Sequence, residues 1–293
     1  MRAARALIPP VLIDALRALR TFARNSQLQP VESRHFNQSE CRALTARMDA
    51  GDYTFDAETA ERMCAMWRAD PASAPYPSAL TRAYEVGDVI AMNAKPLMEV
   101  TYRLPYSRAY ESTQRTKYES FVAACVRAGV RFDQACVADI GCGYGGLLEI
   151  VREQHPSAQL VGAECAVSAI EQMAQERPHI HSVLADIEAA TPEFVAAIGA
   201  GIDVVLCTEV LEHLRRPEHA LSNLMALHPS RGIALTVPNG RVDTAAQHIN
   251  FWSPESWSQF INRHADGWRI TCDRCPSPGS PGGFDNLAVL LPA

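Results

Sequence analysis

The chain has 293 residues, of which 47% are hydrophobic and 20% are charged. This composition excludes an intrinsically disordered chain, and the length predicts one main domain with a smaller appended region. The formal net charge of −6 disfavours broad electrostatic binding to nucleic acid or to anionic lipid. Nine cysteines without a framework spacing, and no secretory signal, predict reduced thiols in a cytoplasmic protein.

The first 110 residues lack an alternation of strands and helices and predict helices joined by proline-containing loops. Residues 11–24 carry the apolar face of an amphipathic helix, which we expect to pack on its own protein or a partner subunit. A helix lying on a membrane surface is the alternative, while no stretch approaches the ~20 apolar residues of a membrane span. We expect 1–110 to serve as a lid, a substrate-recognition element or a homodimer contact, and 111–293 to be the second domain.

An alternation of strands and helices begins after a predicted helix at 110–128. The predicted strands are 137–140, 159–163, 181–185, 202–207, 232–237, 268–272 and 287–291. The predicted helices between them are 146–154, 167–176, 209–227 with Pro217 as a break point, and 254–264. This alternation predicts an α/β fold with a doubly wound, mostly parallel sheet, and the last two strands predict an antiparallel hairpin at one edge.

A glycine-rich loop follows the first predicted strand, where ligands bind at the switch point of such a sheet. Gly141 and Gly143 let the backbone turn tightly and approach a ligand that a Cβ atom would push away. The spacing of Gly141, Gly143 and Gly146 by itself suits a nicotinamide or flavin nucleotide equally well.

Three acids near this loop favour a different ligand. Asp139, two residues before Gly141, suits an amino or sulfonium group and would face a pyrophosphate unfavourably. Glu164 ends the second strand, where a carboxylate can accept hydrogen bonds from both hydroxyls of an adenosine ribose. Asp186 follows the third strand and can accept from the adenine amino group. Together they describe a ligand with a ribose, an adenine and a cationic centre, and without phosphates.

Four segments resemble the successive motifs of class I S-adenosylmethionine-dependent methyltransferases: residues 137–145, 160–164, 184–187 and 202–207. The resemblance spans about 118–291 and implies a seven-stranded sheet and in-line methyl transfer from S-adenosylmethionine to a nucleophile. The cofactor residues that it implies are Asp139, Gly141, Cys142, Gly143, Glu164, Cys165, Asp186, Ile187 and Thr208.

A second group of polar residues follows the fourth strand, where the methyl-acceptor pocket opens in this family. Glu209, Glu212 and His213 would share one face of the first turns of the predicted helix. They suit a hydrogen-bonded network, a general base at His213, or a site for Mg²⁺, Mn²⁺ or Zn²⁺.

His248 is the fourth candidate in this group. Glu209, Glu212 and His213, with His248 before an aromatic and Ser-Pro-Glu stretch, resemble the plant HEN-type small-RNA 2′-O-methyltransferases. A related pattern occurs in the ubiquinone-pathway O-methyltransferases. The resemblance implies that the four residues hold a divalent metal and take part in catalysis, although a similar pattern is widespread among methyltransferases not known to use metal. Without a metal, His213 or His248 would take the acceptor proton.

These features together predict methyl transfer from S-adenosylmethionine to a hydroxyl of a small molecule or a glycan. A resemblance of residues 8–14 to the start of methyltransferases from bacterial surface-polysaccharide and sugar pathways favours a sugar-linked acceptor. An RNA ribose is disfavoured by the net acidity, and N- or C-methylation of a natural product stays open. An NAD-dependent oxidoreductase and a catalytically silent cofactor-binding module are the hypotheses from other classes.

Overall fold

The computed structural model describes residues 35–70 and 73–293, so the amphipathic helix predicted for 11–24 lies outside the described residues. The described chain divides into two compact units. The first comprises the residues up to Ala109 together with Thr244–His248, and the second comprises Tyr110–Asp243 and Ile249–Ala293. No helix in the described ranges is long and apolar enough to cross a bilayer.

The first unit is helical. Its helices are α1 (Gln38–Asp49), α2 (Ala57–Ala69), α3 (Ser78–Val86), α4 (Val89–Met92), α5 (Lys95–Arg103) and α6 (Pro105–Glu111), the last of which runs into the second unit. The side chains of Asn37 and Asp56 accept backbone N–H groups at the starts of α1 and α2 and so satisfy otherwise unpaired donors. The core of the unit contains Met48, Met63 and Leu80.

A short segment from much later in the sequence joins this first unit. The side-chain amide of Asn93 donates to the Gln247 carbonyl oxygen at 2.6 Å, and Gln247 in turn contacts the Tyr84 hydroxyl. These hydrogen bonds explain why Thr244–His248 clusters with the helical unit although the residues on both sides of it belong to the second.

The second unit is built on a seven-stranded sheet. Its strands are β1 (Cys136–Ile140), β2 (Gln159–Glu164), β3 (His181–Leu184), β4 (Val204–Thr208), β5 (Gly232–Pro238), β6 (Trp268–Pro276) and β7 (Phe284–Pro292). The strand order is β3-β2-β1-β4-β5-β7-β6. The first five strands pair in parallel, and β7 pairs antiparallel with both β5 and β6. The predicted fold class and the edge hairpin are therefore confirmed.

Helices cover both faces of the sheet. They are α7 (Arg115–Arg127), α8 (Gly146–Gln154), α9 (Val167–Glu176), α10 (Thr191–Ile198), α11 (Pro217–Met225) and α12 (Pro254–His264). One buried cluster contains Phe121, Leu148 and Met173 from α7 to α9, and the other contains Leu221 and Trp257 from α11 and α12. Because both faces are covered, β1 and β4 are apolar almost throughout, as expected for central parallel strands.

The helix predicted from residue 209 is wrong in its first turns. Glu209 has a left-handed backbone with φ of +57°, because its N–H still donates to the Thr236 carbonyl oxygen of β5 at 3.0 Å. A single 3-10 turn follows at Leu211–His213, and α11 begins only at Pro217. Proline favours the first position of a helix and disfavours helical backbone in the residue before it, so Pro217 sets this start.

Candidate active site

The glycine loop leaves β1 at its carboxyl end and enters α8. Gly141, Gly143 and Gly145 all have positive φ, at +77°, +53° and +88°. At Gly141 there is also no space, because a Cβ atom would lie 2.3 Å from Cγ2 of Val210. The N–H of Gly141 donates to the Ala163 carbonyl oxygen at 2.8 Å, which ties the loop to β2. Glycine is thus required at the point where this loop would approach a ligand.

Two predicted cofactor-side acids lie on adjacent strands beneath this loop. Asp139 is 1% exposed, and among the described residues its Oδ1 atom has no hydrogen-bond partner. Burial, with a further contribution from the charge of Glu164, raises the pKa of Asp139 to about 8. A buried acid of this kind becomes ionised most readily when a cation binds beside it.

Glu164, at the end of β2, is held by backbone donors. Its Oε2 atom accepts the Gly143 N–H at 3.2 Å, and its Oε1 atom accepts the Cys165 N–H at 2.7 Å. Glu164 is buried, so these contacts fix its carboxylate against the glycine loop. Asp186, after β3, accepts the Glu188 N–H at 2.9 Å and is half-buried.

The other predicted cofactor residues differ in where their side chains lie. The Cys142 thiol packs 3.8 Å from the Met173 sulfur, so this side chain supports the core. Ile187 is buried, while Cys165 and Thr208 are half-buried. Thr208 is the last residue of β4, the neighbour of β1 on the side away from β2.

Glu209, predicted to lie on the acceptor side, forms an ion pair that could not be predicted from the sequence. Its Oε2 atom lies 2.8 Å from Nζ of Lys117, in the first turn of α7, and the same ammonium lies 3.1 Å from Oδ2 of Asp285. Asp285 is on β7 and is fully buried. Burial alone would lower the pKa of Lys117, but the charges of Glu209 and Asp285 outweigh burial and hold it well above its usual value.

Lys117 and Asp285 were not among the residues predicted for this group. Lys117 is spaced like any surface lysine in an amphipathic helix, and Asp285 lies in a segment predicted as loop. The available signal was the Asp285-Asn286 pair directly before an apolar run, because polar side chains entering a buried strand need partners.

Glu212 is the most deeply buried of the predicted acceptor-side residues. It is inaccessible to solvent, and neither side-chain oxygen has a hydrogen-bond partner within the described part of the chain. Burial, together with the charge of Glu209, raises its pKa well above the usual value. His213 lies beside it, with Nε2 4.0 Å from Oε1 of Glu212. The structure therefore brings Glu212 and His213 together.

Backbone contacts around Glu212 fix the segment that follows His248. The N–H groups of Ile249 and Asn250 donate to the Glu212 carbonyl oxygen at 2.7 and 3.0 Å. His248 itself ends the segment that clusters with the first unit, where its N–H donates to the Ala245 carbonyl oxygen at 3.1 Å.

One residue of the predicted four-residue metal set, Glu209, is already paired with an internal cation. A metal ion lies about 2.0–2.6 Å from a carboxylate oxygen that binds it. An ion bound to Glu209 would therefore share this carboxylate with the positively charged ammonium of Lys117. Glu212 and His213 have the donor chemistry of a divalent site, while Glu209 is occupied by an internal cation. A metal bound by the four residues stays a prediction.

Comparison with known proteins establishes the family. A sheet of this order, with a glycine loop after β1, an acid one residue before the end of β1 and another at the end of β2, is typical of the class I S-adenosylmethionine-dependent methyltransferases. A family model described as "Methyltransferase domain" matches residues 110–269, more than half of the chain. The chain belongs to this methyltransferase family.

Two curated relatives are similar to part of the chain. Ubiquinone biosynthesis O-methyltransferase from Caulobacter vibrioides is 33% identical over 144 residues, which cover 44% of this chain and 55% of that protein. Trans-aconitate 2-methyltransferase from Azoarcus sp. is 27% identical over 129 residues, covering 43% and 47%. The chain thus spans about half the length of the curated relatives it matches.

Solved structures support the fold. The plantazolicin methyltransferase BpumL, in complex with a pentazolic desmethylPZN analog and SAH, aligns with a TM-score of 0.51 at 15% identity, covering 73% of this chain and 99% of that one. A complex between the Haloferax volcanii Trm112 methyltransferase activator and a methyltransferase aligns with a TM-score of 0.50 at 11% identity, covering 63% and 94%. At these identities the likeness concerns the fold alone.

Binding of the cofactor is expected to release a proton from Asp139. With a pKa of about 8, this acid is protonated at pH 7 in the free protein, and a cationic amino group beside it favours the ionised form. Titration of S-adenosylhomocysteine at pH 7 in two buffers of different ionisation enthalpy measures the released proton. Asp139→Asn should bind more weakly and release none; an Asp139→Asn variant that releases as many protons as the wild type would contradict this assignment.

The same acid sets a pH dependence for the free protein. Below about pH 4 Asp139 is protonated in the folded and unfolded states alike, so it contributes nothing there. Between about pH 4 and pH 8 the unfolded state ionises while the folded state keeps its proton, so stability falls as the pH rises. Asp139→Asn should remove this part of the slope in thermal unfolding curves measured across that range.

Proposed function

We propose that this methyltransferase transfers the methyl group of S-adenosylmethionine to a hydroxyl oxygen of a small-molecule or sugar-containing acceptor. The observation that carries the proposal is Glu212, a buried carboxyl group with two unpartnered side-chain oxygens among the described residues, just beyond the end of β4. A buried polar group without a hydrogen-bond partner destabilises the fold, so a carboxyl group in this position favours a ligand that supplies the missing hydrogen bond.

On the cofactor side, the proposed roles follow the chemistry of each acid. Asp139 would face the cationic methionine end, Glu164 would accept hydrogen bonds from the ribose hydroxyls, and Asp186 would accept from the adenine amino group. The supporting facts are the burial of Asp139 and the two backbone N–H groups that hold the Glu164 carboxylate beside the glycine loop.

On the acceptor side, Glu212 is suited to take a proton from a hydroxyl. A carboxylate whose pKa is raised by burial is a stronger base than an exposed one, and His213 lies 4.0 Å away as a second proton acceptor. Deprotonation of the hydroxyl would strengthen the nucleophile, and the remaining acceleration would come from holding its oxygen in line with the methyl group.

The charge of the site favours a neutral acceptor. Glu209, Glu212 and Asp285 supply three carboxyl groups, and Lys117 supplies one ammonium. An anionic acceptor would add like charge to this cluster, whereas a hydroxyl can donate a hydrogen bond to it. The relative named trans-aconitate 2-methyltransferase makes an anionic acceptor the second candidate, and the relatives named ubiquinone biosynthesis O-methyltransferase agree with the first.

The proposal is tested by label transfer from trideuteromethyl S-adenosylmethionine to matched acceptors. The panel pairs diphenols and sugars with their O-methylated forms and with polycarboxylic acids of similar size. We expect labelled product by mass spectrometry from members of the hydroxyl set alone. Transfer of the label to the carboxylic acids would contradict the proposal. So would transfer to the O-methylated compounds as readily as to the compounds with free hydroxyls.

A further inference from the structure

A single buried lysine stands at the centre of the acceptor-side carboxyl groups. The Lys117 side chain is 10% exposed, and its ammonium lies 2.8 Å from Glu209 and 3.1 Å from Asp285. A buried ammonium is retained only when it is paired, and here two separate elements supply the pairing. Lys117 is therefore part of a built site rather than a surface residue.

The contact with Asp285 fixes the lysine in space. Asp285 is fully buried on β7, in register with Pro238 of β5 on one side and Cys275 of β6 on the other. A residue in the middle of three paired strands has little freedom to move. The ammonium that it holds is accordingly a fixed charge that faces Glu209.

Glu209 is constrained from its own side as well. Its backbone has φ of +57°, a conformation that residues other than glycine rarely adopt. Its N–H donates to the Thr236 carbonyl oxygen at 3.0 Å. The Thr236 hydroxyl donates to the other carboxylate oxygen, Oε1, at 3.4 Å. The Glu209 carboxylate is thus directed at the lysine by the turn that follows β4.

We propose that Lys117, anchored by Asp285, is a positioning residue that serves as the resident cation of Glu209 and takes the place of a divalent metal at that carboxylate. Glu209 then belongs to an internal ion pair, and any metal bound nearby is held without it. The inference rests on the proposed use of this cluster as the acceptor side.

Titration with Mn²⁺, followed by electron paramagnetic resonance, tests this without an acceptor. Glu209→Gln should weaken Mn²⁺ binding less than about tenfold, because Glu209 contributes no metal ligand while Lys117 is present and only a nearby charge is lost. Lys117→Met removes the countercharge and leaves three carboxyl groups, so it should increase Mn²⁺ affinity at least about tenfold. Lys117→Arg keeps the charge and should show no increase.

A double variant completes the design. Adding Glu209→Gln to Lys117→Met should abolish the gain, since the gained site includes Glu209. The proposal is overturned if Glu209→Gln weakens Mn²⁺ binding more than about tenfold in the wild-type background, which would mark Glu209 as a ligand. It is also overturned if Lys117→Met folds, as judged by circular dichroism, and gains no Mn²⁺ affinity. If Lys117→Met does not fold, the wild-type and Glu209→Gln titrations decide. A failure to find a hydroxyl acceptor leaves these affinities unchanged, so the two proposals fail separately.

Discussion

Glu212→Gln is expected to lower turnover by about 10²–10⁴-fold, the usual contribution of a positioned general base. Glutamine has the shape of the protonated carboxyl group but accepts no proton. Because glutamine is neutral and has the size of glutamate, the amide carries no burial cost of a charge and should fit without loss of fold stability. Affinity for S-adenosylhomocysteine should be unchanged, since the predicted cofactor residues lie elsewhere. Initial rates with a hydroxyl acceptor, together with calorimetric cofactor titration, measure both effects.

Glu218→Gln is the matched control for this substitution. Glu218 is an exposed acid in the first turn of α11, six residues along the chain from Glu212. Its replacement makes the same chemical change away from the site and should leave turnover near the wild-type value. The proposed role of Glu212 is contradicted if Glu212→Gln binds cofactor normally and turns over as fast as this control.

Gly141→Ala is expected to abolish measurable cofactor binding and to destabilise the fold by about 2–5 kcal/mol, the cost of overpacking a filled site together with that of a left-handed alanine. The new Cβ atom would lie 2.3 Å from Cγ2 of Val210, a separation that requires the loop or the turn after β4 to move. The first movement displaces the loop at the carboxyl end of β1, and the second displaces the turn that faces it. Thermal unfolding and titration with S-adenosylhomocysteine measure the two losses.

Gly87→Ala separates the clash from backbone strain. Gly87 ends α3 with φ of +67° and ψ of +31°, and an added Cβ atom would meet nothing within 4 Å. Its substitution therefore carries the left-handed backbone penalty of alanine, of about 1–2 kcal/mol, without steric overlap. Cofactor binding should survive in Gly87→Ala. Equal effects of the two variants on cofactor affinity would show that the contact between Gly141 and Val210 is unimportant.

Regular elements of the second unit could be predicted because their sequence patterns are local. Helices 146–154 and 167–176 were predicted with the bounds that the structure shows, since each has an apolar stripe between loop residues. The buried strands β1 and β4 are short apolar runs between turn signals. Each of these segments has one conformation that buries its apolar residues, so the local sequence is enough to predict its secondary structure.

The turn after β4 could not be predicted in the same way. The spacing of Glu209, Glu212 and His213 suits a helix, and nothing nearby in the sequence shows that the Glu209 N–H is used by β5. Hydrogen bonding to a strand that comes 27 residues later overrides the local preference. The outcome is a left-handed residue and a 3-10 turn in place of helix.

Contacts between residues far apart in the sequence could not be predicted either. Lys117 meets Asp285 only because α7 packs against the hairpin formed by β6 and β7. The segment Thr244–His248 joins the first unit through a hydrogen bond between residues 154 positions apart. A single sequence predicts that a buried charge needs a partner, but it does not say which residue that partner is.

The chemistry of the methylated product tests the proposed reaction most directly. After turnover with trideuteromethyl S-adenosylmethionine, the purified product is treated with mild alkali and its mass is measured again. A methyl ether on a former hydroxyl keeps the label, and this is the result that the carboxyl-rich acceptor side predicts. Loss of the label as methanol would identify a methyl ester, and label on nitrogen or carbon would also contradict hydroxyl methylation.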